Sequence, residues 1–245
     1  MRHLKAVILA AGKGTRMESD LPKVIHTIDG ICLADYVIEA AKAAGVDEIC
    51  LVIGYQAERV KQAIAHKEVV FALQEQQLGT GHAVKCAADF LTEDGETIIL
   101  FGDTPLITAE TLMHLAEHHR QCGNAVTVLS AMIEDATGYG RIIRDENGNF
   151  VKSVEHKDAT EAERQVKEIN SGMYIFDTVC LKEALGQLTN NNAQGEYYLP
   201  DTWTILKEKG FRIDAYRLEE PEDITGVNTQ QQLAEAAEII RRRRS

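Results

Sequence analysis

Residues 7–17 read VILAAGKGTRM: five apolar residues give way to two glycines, a lysine, a threonine and an arginine. Such a stretch is a buried strand running into a loop where permissive glycine backbone and side-chain cations can gather around an anion, phosphate first among them. Two common phosphate-binding patterns do not fit. A dinucleotide fingerprint needs a third small residue where Met17 stands, and a phosphate loop needs Gly-Lys-Ser/Thr after four spacer residues. Alone, a strand followed by Gly12-Lys13-Gly14 is explained equally well by a tight turn. The basic pair Arg16 and Lys23 tips the reading toward a ligand, because hydrogen bonds to charged groups contribute about 1.5–3 kcal/mol each.

The totals suit a soluble globular protein. The chain has 245 residues, 44% of them hydrophobic and 26% charged, with only 4 prolines, enough to bury a core without disulfide staples. A net charge of −12 argues against a general affinity for nucleic acid or anionic membrane, so an anionic ligand must meet a local cluster of cations. The basic run RRRR at 241–244 closes a helical pattern and reads as a solvated helix terminus. Five scattered cysteines without metal-ligand spacing fit a reduced, cytoplasmic protein. The opening MRHLKAVILAAG superficially copies a signal peptide, but its apolar run is short and enters GKGTR, so it reads as the first strand of a sheet. No stretch is long enough to span a membrane.

Strand-like runs at 6–10, 48–54, 68–73, 97–103 and 125–133 alternate with amphipathic segments at 34–45 and 57–67. That alternation predicts an α/β fold: a Rossmann-like, mixed and mostly parallel sheet with helices on both faces, its ligands beyond the C-terminal strand ends. From about residue 138 the style changes. GRIIRD and FVKSVEH flank the turn signal ENGN and predict an antiparallel hairpin, EINSGMYIFD a further strand, and EYYLPDTWTILKEKG a helix with an internal proline. This is a smaller inserted lobe. Residues 229–244 read as one helix, and Tyr197, Tyr198 and Trp203 as packing residues.

The opening LAAGKGTRMESDLPKV (9–24) resembles the signature of nucleotidyltransferases that act on sugar 1-phosphates. QEQQLGTGHA (74–83), FGDTPL (101–106), TGYGRI (137–142), VEHKDAT (154–160), EINSGMY (168–174) and GVNT (226–229) narrow the likeness. Together they resemble the uridylyltransferase half of the bacterial bifunctional N-acetylglucosamine-1-phosphate uridylyltransferases/glucosamine-1-phosphate acetyltransferases, over residues 1 to about 230. The resemblance implies transfer of UMP from UTP to N-acetylglucosamine 1-phosphate with loss of pyrophosphate, assisted by Mg²⁺. Cytidylyltransferases of isoprenoid synthesis share the opening but place glutamine after the lysine, where this chain has Val24. A UDP-sugar sensor without turnover is the reading from another class, disfavoured by intact Asp103 and Asn228.

Residue by residue, the resemblance implies Arg16 and Lys23 as catalytic cations and Asp103 and Asn228 as metal ligands. Residues Leu9, Ala10, Ala11, Gly12, Gln74, Gly79 and Thr80 fall at nucleotide-binding positions, with Phe101 and Gly102 beside Asp103. Gly140, Glu155 and Asn170 fall at the sugar. Asp103 independently suits a metal, since a carboxylate emerges where a buried strand ends; its bland alternative is a cap for the helix near Thr108. Glu155 sits in a mixed charge run that by itself reads as a solvated loop, and His114, His118 and His119 read as a solvated helix face. Residues 1–228 are expected to form the uridylyltransferase domain and 229–245 the start of an arm helix. The family's acetyltransferase β-helix half is not in this sequence, so acetyl transfer and the trimer that half builds are not expected.

Overall fold

A computed structural model describes residues 3–91, 94–192 and 194–244. The strands are β1 (Leu4–Ala10), β2 (Thr27–Ile28), β3 (Ile31–Cys32), β4 (Glu48–Ile53), β5 (Val70–Leu73), β6 (Glu96–Phe101), β7 (Val126–Met132), β8 (Arg141–Arg144), β9 (Phe150–Val154), β10 (Glu168–Asp177) and β11 (Ile213–Arg217). The helices are α1 (Leu33–Ala43), α2 (Ala57–Ile64), α3 (Thr80–Cys86), α4 (Ala109–Cys122), α5 (Glu161–Arg164), α6 (Thr178–Gln187), α7 (Asp201–Glu208) and α8 (Gln230–Arg244).

All seven residues of β1 are buried, as expected of a strand covered on both faces. Its side chains alternate between two cores. Leu4, Ala6, Ile8 and Ala10 join a cluster with residues of α1, α2 and α4, and Val7 and Leu9 join one with residues of α3, α6 and α7. The sheet runs β11-β7-β10-β6-β1-β4-β5, with β8 and β9 added through β10. The half made of β6, β1, β4 and β5 is parallel; β10 then runs antiparallel to both β6 and β7, and β7 parallel to β11. The order reverses beside β1, which has β4 on one side and β6, later in sequence, on the other. The loops after β1 and β6 therefore flank a switch-point crevice.

The hairpin β8–β9 is antiparallel as expected. The segment EYYLPDTWTILKEKG is corrected: helix α7 begins only at Asp201, with Pro200 at its N-cap, and residues 196–199 are not helical. Proline suits the start of a helix, where a missing N–H breaks no bond. The arginine run also differs from expectation. Arg241 pairs with Asp29, Arg242 with Glu222, Arg243 with Asp223 and the Leu106 carbonyl, and the Arg244 guanidinium lies 5.6 Å from the Tyr36 ring centroid. Beneath them Ala236, Ala237 and Ile240 of α8 share a third core with Met17, Ile28, Leu33, Leu106 and Val227. Ser245, the end of the expected arm, lies outside the described residues. Among the described residues no helix is long and apolar enough to cross a membrane.

Candidate active site

The loop after β1 is shaped by close approach to Lys23. Gly14 has φ 67°, and a Cβ there would lie 2.6 Å from Lys23 Cβ. Glycine thus supplies both the left-handed backbone and the room for the lysine stem. Lys23 follows buried Pro22, whose fixed φ stiffens its approach. Met17, which spoils a dinucleotide fingerprint, is wholly buried in the third core, and its carbonyl accepts from Gln230 Nε2 on α8 at 3.1 Å. Gly12 has open space around its Cα.

Beyond β6 the chain turns sharply: Gly102 N–H donates to the Leu9 carbonyl at 2.9 Å, and Thr104 Oγ1 donates to the Phe101 carbonyl at 2.7 Å. This turn lifts Asp103 off the sheet edge. The capping alternative fails, since Thr108 itself caps α4. The Val227 N–H donates to the Asp103 carbonyl at 2.8 Å, which delivers Asn228 to the same place. Asn228 Oδ1 accepts from Lys23 Nζ at 2.8 Å and Arg16 Nη2 at 2.9 Å, and Lys23 Nζ also pairs with Asp103 Oδ2. Arg16, Lys23, Asp103 and Asn228 are thus one cluster. Two hard oxygens, one anionic and one neutral, already face a single cationic point, a donor set that fits a small divalent ion completed by substrate phosphate and water.

A cavity of about 830 Å³ opens beside this cluster. Of the sequence-predicted residues, Leu9, Ala10, Ala11, Gly12, Lys23, Gln74, Gly79, Thr80, Phe101, Asp103, Gly140, Glu155 and Asn170 line it. Arg16 and Asn228 stand at its edge through their bonds to Lys23, and Gly102 lies behind, where a Cβ would press on Val24 Cγ1 at 3.1 Å.

Gln74 is buried, and its Nε2 donates to the Gly79 carbonyl at 3.2 Å. Gly79 has φ 100°, and a Cβ there would strike the Tyr197 carbonyl at 2.6 Å. The Gly81 N–H donates to that carbonyl at 2.8 Å, so the LGTG turn is docked on residues 197–199. At the far end, the β10–β7 ladder slips between Asn170 and Tyr174. In that bulge Gly172 (φ 81°) makes room for the Phe101 ring, and Asn170 Oδ1 accepts from its N–H at 2.8 Å. Burial raises the Tyr174 hydroxyl pKa well above the tyrosine range, which keeps it neutral beside Asn170.

Glu155 corrects the solvated-loop reading of its charge run: Glu155, His156, Lys157 and Asp158 all line the cavity. Glu155 is open to the cavity yet walled by packed atoms elsewhere. That partial desolvation, then the negative charges of Asp158 and Asp201, raises its carboxyl pKa.

Sequence reasoning missed Asn192 and Glu196 and read Tyr198 as a packing residue; all three line the cavity. The Asn- and Gly-rich run ahead of Pro200 was the available signal for a loop. The histidine face is corrected too: His119 is buried against Thr127, and His118 meets Asp214 at 3.0 Å.

The sequence pattern of the MobA-like NTP transferase domain matches residues 6–163. The chain belongs to the MobA-like NTP transferase domain family. The matched span of this transferase carries Lys23, Gln74, Asp103 and Glu155, while Asn170 and Asn228 lie beyond it. The transferase is also 52% identical over 243 residues to the Bifunctional protein GlmU of Caldanaerobacter subterraneus, covering 99% of this chain and 53% of that one. It is 50% identical over 244 residues to the protein of the same name in Acetivibrio thermocellus, again 99% and 53%, and 51% identical over 239 residues to that of Clostridium novyi, 97% and 52%. The chain spans about half the length of the curated relatives it matches.

Proposed function

We propose that this transferase joins UTP and N-acetylglucosamine 1-phosphate to give UDP-N-acetylglucosamine and pyrophosphate, in the cytoplasm. A phosphate oxygen of the sugar phosphate attacks the α-phosphorus of UTP, and the bond from that phosphorus to the bridging oxygen of the β-phosphate breaks in line. The attacking oxygen is already ionised, so the reaction needs no general base. What it needs is alignment of two anions and neutralisation of their charge.

The observation that carries this reading is the single cavity that joins the Arg16–Lys23–Asp103–Asn228 cluster to Gln74 on one side and to Gly140, Glu155 and Asn170 on the other. Mg²⁺, held by Asp103 and Asn228, would polarise the α-phosphoryl group when bound. Lys23 exchanges its carboxylate partner for substrate phosphate, and Arg16 neutralises the triphosphate. Gln74 and the LGTG turn hold the base, and the main chain of residues 9–12 lies along the nucleotide. Glu155 and Asn170 accept from and donate to the sugar hydroxyls and N-acetyl group, and Gly140 leaves room for the ring. Residues 1–228 form the catalytic body, and α8 is the first part of an arm seated on it.

Pyrophosphate release across a panel of nucleotides and sugar 1-phosphates, with and without chelator, tests the reading. UTP with N-acetylglucosamine 1-phosphate is expected to lead, and chelation to abolish the signal. A strong preference for CTP would overturn it, as would tight UDP-N-acetylglucosamine binding without turnover in magnesium.

A further inference from the structure

Gln74 is 3% exposed, and its side-chain nitrogen has two partners. Nε2 lies 3.2 Å from the Gly79 carbonyl oxygen and 3.1 Å from His82 Nδ1. A carbonyl oxygen only accepts, so the amide nitrogen must be the atom that faces it. That carbonyl is held in turn, because it also accepts from the Ala83 N–H at 3.1 Å in the first turn of α3. The second amide hydrogen then points at Nδ1, which must be the unprotonated ring nitrogen, so the imidazole proton sits on Nε2; Cys86 Sγ, 4.0 Å from both ring nitrogens, favours neither. The ring is fixed from another side by the Tyr197 ring, with centroids 6.2 Å apart and planes at 30°. Gln74 Oε1, with both amide hydrogens spent inside the protein, is the part of the side chain left for the cavity.

We propose that His82 is a positioning residue for base selectivity: as a proton acceptor behind Gln74, it holds the amide so that an oxygen, never an NH₂, is presented to the base. This rests on the uridylyltransferase reading. Uracil offers an N–H at its N3 edge and meets that oxygen as a donor. Cytosine offers a lone pair at the same atom and meets a like dipole. Reversing the amide to suit cytosine would set Oε1 against both the Gly79 carbonyl and the Nδ1 lone pair, which is disfavoured where water cannot compensate. A purely structural histidine in the same place would support both nucleotides equally.

The test compares kcat/KM for UTP and CTP in the whole chain and in two variants. His82→Leu leaves one buried amide hydrogen without an acceptor and only Gly79 opposing reversal, so the UTP:CTP ratio is expected to fall about tenfold. His82→Asn, whose side-chain oxygen can take the place of Nδ1, is expected to restore most of the ratio. An equal loss for both nucleotides in His82→Leu would overturn the proposal. If His82→Leu does not fold, ¹⁵N NMR of labelled histidine in the unmodified protein decides: an unprotonated Nδ1 with a protonated Nε2 supports it, and a proton on Nδ1 overturns it. Failure of the unmodified protein to make any UDP-sugar would remove the reaction assigned above, while the ring measurement would still settle the polarity of Gln74.

Discussion

The two ends of the cavity are built in different ways. At the Asp103 end, the functional groups leave the C-terminal edges of parallel strands and are locked to one another across the chain: Lys23 and Arg16 to Asn228, Val227 to Asp103, Gln230 to Met17. At the Glu155 end, they come from a hairpin, a bulged strand and the loop before Pro200, with left-handed glycines at 138, 172 and 195. Where charge must be neutralised to within a fraction of an ångström, the fold uses rigid elements with long-range ties. Where the proposed sugar would be told from other sugars, it uses loops that can differ without disturbing the sheet.

Asp103→Ala should break the rigid end most, lowering kcat by about 10³-fold or more, since it removes the anionic group proposed to hold the metal. Thermal stability should change little. A rate within tenfold of the unmodified protein would erase the distinction between the two ends.

A pair of glycine substitutions sharpens the comparison. Gly14→Ala and Gly148→Ala both strain a left-handed residue, at φ 67° and 81°, and each should cost about 1–2 kcal/mol in denaturant unfolding. Only at Gly14 does the new methyl meet Lys23, whereas Gly148, in the hairpin turn, has nothing within 4 Å. Gly14→Ala should therefore also lower kcat at least about tenfold, because misplaced alignment is costly to rate, while Gly148→Ala keeps it. Equal activities would show that the loop tolerates movement.

Glu155→Gln tests the loop end. It should raise the KM for the sugar phosphate about tenfold, as expected for losing a charged hydrogen-bond acceptor, with the KM for UTP unchanged. Its pH dependence has a definite sign. Burial and neighbouring carboxylates raise the Glu155 pKa, so the fold favours the protonated form. That stabilisation is present below the unfolded-state pKa and is lost as pH rises through the folded value. The glutamine variant should thus melt slightly higher than the unmodified protein at neutral pH, with the gain absent in acid.

The smallest expected effect concerns α5. Glu163 pairs with Lys152 and accepts from Thr160, which hold its pKa down at about 2. Its contribution is present above the ordinary glutamate pKa and is lost as pH falls from there toward about 2. Amide exchange over residues 160–164 should quicken selectively there; uniform exchange would mean that this capping box does not restrain the turn.

The parallel half was legible because burial on both faces left continuous apolar runs, and the glycines and cations after β1 together marked the edge where the strand ends. The antiparallel run of β10 between β6 and β7 was not legible, because partners drawn from distant stretches leave no local pattern in either strand. The bond from Lys23 to Asn228 spans 205 residues, and no local pattern in either stretch pointed to it; only the likeness to known transferases joined them beforehand. The loop before Pro200 was misread because apolar spacing was weighed above a helix-starting proline. His119 was misread because the polar face of α4 was taken to be wet, whereas Thr127 gives its ring a buried partner.

Asn228 lies two residues before α8, and α8 is seated on the loop that carries Arg16 and Met17. On a ribosome the loop that carries Arg16 and Lys23 emerges first, Asp103 follows, and Asn228 comes after every strand of the sheet, 205 residues behind Lys23. A nascent chain therefore completes its sheet at Arg217 before the last member of this cluster arrives, and the proposed activity waits on the segment that leads into α8.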